Sequence, residues 1–248
     1  MRGTDPQRLA RIGGWLFILT FVTSIPAAFL YAPLLDHHDY ILGAGHDTRI
    51  AFGAFLEVLL AIAGIGTAVA FYPVVKRQSE SMSLGYVASR TVESTLIVVG
   101  IVSVLATVKL RQDLAGAPGA ENASLILTGR QLTAVHDMTF LLGPSFCAAI
   151  GNGILLGTLM YLSGLVPRRL ALIGVVGGPL AFVAATGALF NIYDQNSAAQ
   201  GLLTIPEIIW EASLGIYLVV RGFRKEGLDH LGLATTNSPG RAPVATAV

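Results

Sequence analysis

The chain has 248 residues, of which 53% are hydrophobic and only 12% charged, against about 25% charged in an ordinary soluble domain; its mean hydropathy is +0.67. That composition excludes a water-soluble enzyme, a disordered chain and a coiled coil, and the lone Cys147 excludes a disulfide scaffold. A formal charge of +1 gives no case for nucleic-acid binding.

Six apolar windows follow in order, near residues 12–31, 50–72, 84–108, 132–162, 170–190 and 202–220, each long enough to cross about 30 Å of hydrocarbon. Backbone amides in lipid must be satisfied internally, so each window predicts a helix. The first window follows Arg2, Arg8 and Arg11; its length favours a retained helix over a cleaved signal peptide. The predicted fold is all-α: a polytopic integral membrane bundle of six transmembrane helices. It divides into an N-terminal segment (1–11), a transmembrane domain (12–223) and a disordered tail (224–248). Alternate connections carry 11 Lys and Arg on one side and 4 on the other, with Arg90 inside a span. Because basic loops stay cytoplasmic, both termini are expected in the cytoplasm of a bacterial inner membrane.

Helices in lipid approach through small residues. Gly153/Gly157 and Gly174/Gly178 have GxxxG spacing, which suits compact packing within the chain or, alternatively, a homodimer face. Pro26, Pro144 and Pro179 are expected to kink their helices.

Seven ionisable residues fall inside the windows: Glu57, Arg90, Glu93, His136, Asp137, Glu207 and Glu211. A charge at mid-bilayer costs about 2.5–3.5 kcal/mol even on the lenient insertion scale, so such groups turn inward and find partners. Glu207 and Glu211 are four apart on one helix face, continued by Gly215, and Gly53, Glu57, Ala61, Gly64 and Ala68 form a small-residue face carrying one acid. Arg90 and Glu93 are three apart and can pair locally, while His136 shares a face with Phe140, Gly143 and Cys147. Counting about 1.5 Å per residue from the outer loops puts Glu57 about 10 Å deep and His136, Glu207 and Glu211 roughly 6–14 Å deep, in one shared layer. Arg90 and Glu93 start from the other end, and their membership of that layer stays open. Asp137 is expected to favour a helix dipole near a helix start.

This set admits several chemistries. Crowded acids in a low dielectric cannot all carry charge, so one can act as a general acid with a neighbouring carboxylate or His136 as base. Three Glu and one His also supply ligand types for a divalent metal. The same acids could bind and release a proton or sodium ion in a small transporter, for which Pro26 and Pro144 hint at inverted repeats. Against these stands a purely structural network, with the acids held by Arg90 and by Thr20, Thr23 and Asn152, in a non-catalytic partner or sensor. The candidate site is therefore Glu57, Glu207, Glu211, His136, Glu93 and Arg90, with membrane lipids as surroundings and an apolar small molecule as the substrate of the enzymatic reading. No cofactor or metal is identified, and whether the chain is an enzyme stays open. The outer run Asp36-His37-His38-Asp39 with His46-Asp47 has ligand types but no defined zinc spacing, and is read as a solvated loop. Cys147 is read as a small packing residue.

The run from Glu57 through Lys76-Arg77, then 84–93 (LGYVASRTVE), 161–168 (YLSGLVPR) and Pro206-Glu207 with Glu211, resembles a large bacterial membrane-protein family, domain of unknown function 4386. The resemblance extends to about Phe223 and implies a six-helix integral membrane protein with no assigned reaction. Pro206-Glu207 and Glu211, beside other intramembrane acids, are also similar to the acids of membrane-embedded terpene and carotenoid cyclases. That likeness implies protonation of a double bond or epoxide on a substrate arriving from the lipid.

Overall fold

A computed structural model describes residues 5–35, 40–42, 45–114, 122–195 and 197–233. Six helices among them are long and apolar enough to cross a membrane: α1 (Pro6–Leu35), α2 (Asp47–Val75), α3 (Glu80–Leu114), α4 (Asn122–Ser163), α5 (Arg168–Leu189) and α6 (Ala198–Val220). A short helix, α7 (Lys225–His230), follows. Each helix overruns its apolar window because the window marks the lipid-facing length while polar ends such as Glu80–Ser83 and Asn122–Gln131 continue the same hydrogen-bond ladder.

Local chemistry sets the turns. Ser79 opens α3, its hydroxyl accepting from the Met82 amide and Glu80 occupying the first turn. Gly164 ends α4 in the left-handed region (φ 68°), and Pro167 precedes the first turn of α5, the stop-and-start chemistry of glycine and proline. Such tight connections make neighbours antiparallel. Each helix packs on the next, and α6 packs back on α1, so the six form a closed ring in chain order. At the end carrying Lys76, Arg168 and Arg221, here the basic end, Gln7 ties the ring shut: its amide donates to the Phe223 carbonyl (2.8 Å) and accepts from the Phe223 amide (2.9 Å).

Close approach does the remaining packing. A Cβ on Gly14 would stand 2.8 Å from the Gly215 carbonyl oxygen, bringing α1 and α6 into backbone contact. The two GxxxG pairs meet each other antiparallel: Gly153 abuts Gly178, and Gly157 abuts Gly174. They are used within the chain, which satisfies the packing expectation without a second copy. One apolar core at the basic end gathers Phe17, Phe71, Tyr86, Met160, Trp210 and Leu214; a second, toward the opposite end, gathers Tyr31, Ile50, Ile97 and Val104. Trp15, Phe29, Ile62, Val102 and Val183 face outward, as a lipid-facing surface requires.

Two local features differ from expectation. Residues 224–233 are not a disordered tail: Arg224 donates its amide to Leu165 (2.8 Å), Leu228 is buried, and α7 folds against the basic end. The reason is a pair of apolar anchors, Phe223 and Leu228, that a polar average over the tail conceals; residues 234–248 lie outside the described residues. Of the three prolines, Pro26 and Pro179 sit inside continuous helices. Pro144 lies where α4 widens into π turns, Leu141–Cys147 and Ala149–Leu156, the adjustment that absorbs a missing donor and that often marks a functional site.

Candidate functional site

The intramembrane polar residues form two groups rather than one layer. In the first, Arg90 Nη1 meets Glu93 Oε2 at 2.6 Å, both side chains buried, and Arg90 Nε donates to the Gly64 carbonyl at 3.3 Å. Gly64 makes this possible, since a Cβ there would stand 2.9 Å from the guanidinium. Across the ring, Asn152 on the widened part of α4 donates to Glu211 at 2.6 Å, and its carbonyl accepts from the Trp210 indole at 2.9 Å. Ser89 likewise donates to the Cys147 carbonyl in the π segment (2.7 Å). Glu207, 4% exposed, lies one turn from Glu211, and both of its carboxyl oxygens are buried without a hydrogen-bond partner. Gly153 and Gly177 flank that carboxyl so closely that a Cβ would stand 2.5 and 3.0 Å from Oε2.

These groups surround a cavity of about 170 Å³. Arg90, Glu93, Glu207 and Glu211 supply its polar wall, while Phe21, Leu60, Ile97, Phe140, Pro144 and Ile208 supply an apolar one. Helices α1 and α6 both line it, through Thr20, Phe21 and Ser24 and through Thr204 and Ile208, and Ile208 is about half exposed (48%). A second cavity of about 220 Å³, between α4, α5 and α6, shares Glu207, Thr204, Pro144 and Ala148. Glu207 therefore stands in a wall common to both.

The second group lies beyond the first cavity, away from the basic end. Tyr31 donates to Glu57 Oε2 (2.9 Å) and meets His136 edge-on, with ring centroids 5.5 Å apart. His136 stacks on Phe140 and sits 3.8 Å from Glu57 and 3.6 Å from Asp137, within ion-pair reach but too far for a hydrogen bond, so both its nitrogens lack hydrogen-bond partners. Leu60, Ile97 and Phe140, one turn from Glu57, Glu93 and His136 respectively, form an apolar layer between the groups.

The expected common layer of Glu57, His136, Glu207 and Glu211 thus splits, and Arg90 and Glu93 join the two α6 acids instead. The cause is the baseline for counting depth. Helices α3 and α4 have 35 and 42 residues, while α5 and α6 have 22 and 23, so the ends remote from the basic end are uneven. Counted from the tight turns at the basic end, Glu93 is 13 residues in and Glu207 is 13 residues in, about 20 Å each; Glu57 is 18 residues in, about 27 Å. The small-residue face of α2 and the Arg90–Glu93 pair are as expected. Asp137 is not near a helix start; it lies deep within α4 and faces His136.

Among the expected structural partners Arg90 and Asn152 reach acids, Glu93 and Glu211 respectively; Thr20 and Thr23 donate to carbonyls of their own helix. Tyr31, the partner of Glu57, and Trp210, which anchors Asn152, carried no signal beyond being aromatic within apolar runs. Among the described residues no three His, Cys, Asp or Glu side chains gather as metal ligands, so the mixed Glu/His metal set is not assembled. Residues 36–39 of the outer acid/histidine loop lie outside the described residues. Asp47 serves structure there, accepting from Tyr40 (2.7 Å), Gln112 (2.9 Å) and Arg111; burial and then the bond to Asp47 push the Tyr40 phenol above its ordinary pKa. Cys147 is half-buried, its thiol 3.3 Å from the Leu142 carbonyl.

No curated protein and no solved structure matches the chain. Six of its helices are long and apolar enough to cross a membrane; residues 12–222 match the family described as "Domain of unknown function (DUF4386)", and with that match covering most of the sequence, the chain belongs to this family.

Proposed function

We propose that the chain is a membrane enzyme performing acid–base chemistry on the apolar end of a lipid-phase molecule, with Glu207 as acid and Glu211 or Glu93 as base. The observation that carries this reading is the Glu207 carboxyl, buried without a partner on the wall of an apolar cavity. Three carboxyls, Glu93, Glu207 and Glu211, share one guanidinium. A low-dielectric interior tolerates little net charge, so charge balance leaves protons on the carboxyls, and the one with no donor facing it is the natural carrier. About 150 Å³ suffices for a benzene-sized molecule, so this cavity accepts a group of that size, such as the branched alkene end of an isoprenoid, with the rest of the chain leaving between α1 and α6 into lipid.

The step is redox-neutral. The alkene π pair takes the Glu207 proton to form a C–H bond, leaving a carboxylate and a carbocation. A neighbouring carboxylate then removes a proton from the adjacent carbon, and its C–H pair becomes the new double bond, giving isomerisation or, with internal attack by a second alkene, cyclisation. Glu207 and Glu211, one turn apart, can return the proton between cycles. The basic end would face the cytoplasm of a bacterial inner membrane, because the Lys and Arg excess lies there.

The test uses purified protein equilibrated in D₂O and then given a polyprenyl-containing bacterial lipid extract. Mass spectrometry should find at least one deuterium per protein molecule in an altered lipid, and none with Glu207→Gln. Equal labelling by both proteins would remove Glu207 from the chemistry. Net proton movement across liposomes by the wild type, lost in Glu207→Gln, would favour transport instead.

A further inference from the structure

At the basic end, the last turn of α4, the start of α5 and the connection from α6 to α7 line an open surface pocket of about 400 Å³, separate from the interior acids. We propose that this pocket binds the phosphate headgroup of an anionic phospholipid. Arg168, Arg224 and His230 line it against a single carboxylate, Glu226, whose side chain is 74% exposed and meets Arg224 at only 3.4 Å. The lining is therefore net basic, with guanidinium forks suited to phosphate oxygens. Arg168 is held rather than free: its guanidinium carbon lies 5.8 Å over the Tyr161 ring, which fixes the plane while leaving N–H edges available.

The floor is built from backbone. A Cβ on Gly227 would stand 2.7 Å from Gly164, and the Arg224 amide donates to the Leu165 carbonyl at 2.8 Å. The pocket is thus fixed by the docking of the C-terminal segment. Its position selects lipid over free phosphate. It lies where the spans Asn122–Ser163 and Arg168–Leu189 end, the depth at which headgroups sit. Its wall continues into Leu162, 49% exposed and apolar, beside which an acyl chain can descend. Basic pockets between helices at this level are the recurrent form of anionic-lipid sites.

The experiment measures retention of phosphatidylglycerol and phosphatidylcholine by the full chain, released from mixed micelles and weighed intact by mass spectrometry. Wild type should retain phosphatidylglycerol preferentially. Arg168→Gln and Arg224→Gln should each weaken that retention about fivefold, the effect of one basic residue at a membrane surface, while Arg169→Gln, exposed and outside the pocket, leaves it unchanged. Glu226→Gln should strengthen retention, a gain that misfolding cannot produce. Equal retention of the two lipids, or equal losses in Arg168→Gln and Arg169→Gln, would overturn the proposal. Retention of inorganic phosphate alone, with displacement of the lipid by excess phosphate, would overturn the lipid assignment in favour of a soluble anion.

Discussion

Arg90 is the single cation on the wall of the central cavity among the described residues, and its removal gives the sharpest test of the site's electrostatics. It meets Glu93 at 2.6 Å with side-chain exposures of 4% and 8%. With charge centres about 4 Å apart and an effective dielectric of about 20, the attraction is about 4 kcal/mol, in line with the 3–5 kcal/mol lost when one partner of a buried pair is deleted. Arg90→Met keeps the side chain's apolar length, so it should lower stability by about 3–5 kcal/mol, through stranding Glu93 and freeing the Gly64 carbonyl that accepts from Nε. Replacing both partners, Arg90→Met with Glu93→Met, should restore most of that loss, since an apolar pair of similar volume removes the uncompensated charge. Equilibrium unfolding by SDS titration in mixed micelles reads both. A single variant within about 1 kcal/mol of wild type, or a double variant as unstable as the single one, would refute the charge balance on which the cavity chemistry rests.

Tyr31→Phe leaves Glu57 Oε2 without its donor and should cost about 1.5–3 kcal/mol in the same titration. Gly153→Ala puts a Cβ into Gly178 and beside Glu207 and should cost about 1–3 kcal/mol by overpacking. Gly201→Ala, also helical but with nothing within 4 Å of the new Cβ, should be neutral or stabilising by up to about 1 kcal/mol. Gln7→Ala opens the paired bonds to Phe223 and should cost about 1–2 kcal/mol, with faster proteolysis at Arg221–Lys225 as its signature.

The six spans were legible because a bilayer reads length and polarity directly: each apolar window stops at charged or turn-forming residues such as Lys76-Arg77 or Pro167-Arg168. Spacing also revealed the Arg90–Glu93 pair and the Glu207/Glu211 face, because one helix fixes both members. What failed was comparison between helices. Depth counted from loops assumes level ends, whereas α3 and α4, with 35 and 42 residues against 22 and 23 in α5 and α6, run farther from the basic end. The π turns of α4 were not legible either, since Pro144 signals a disturbed ladder but not whether it kinks or widens. Asn152 is named from sequence among the partners of the acids, but without that widening nothing indicates that its acid is Glu211 or that its backbone carbonyl receives Trp210.

The apolar layer of Leu60, Ile97 and Phe140 bears on the choice between chemistry and transport. An ion-coupled carrier needs its titrating groups connected to each face in turn, yet this layer stands between Glu57/His136 and the cavity acids. On the other side lies Tyr86, fully buried, with its hydroxyl donating to Thr67 at 3.1 Å. A redox-neutral rearrangement needs neither connection, because the proton given to one carbon is recovered from the next and handed back along one helix face. What such a cycle does require is a way in for an apolar molecule, and under this proposal the route is the flank of α1 and α6, both of which line the cavity and where Ile208 is about half exposed. Those two helices touch backbone to backbone at Gly14 and Gly215 near the basic end, and farther along both line the cavity, through Phe21 and Ile208.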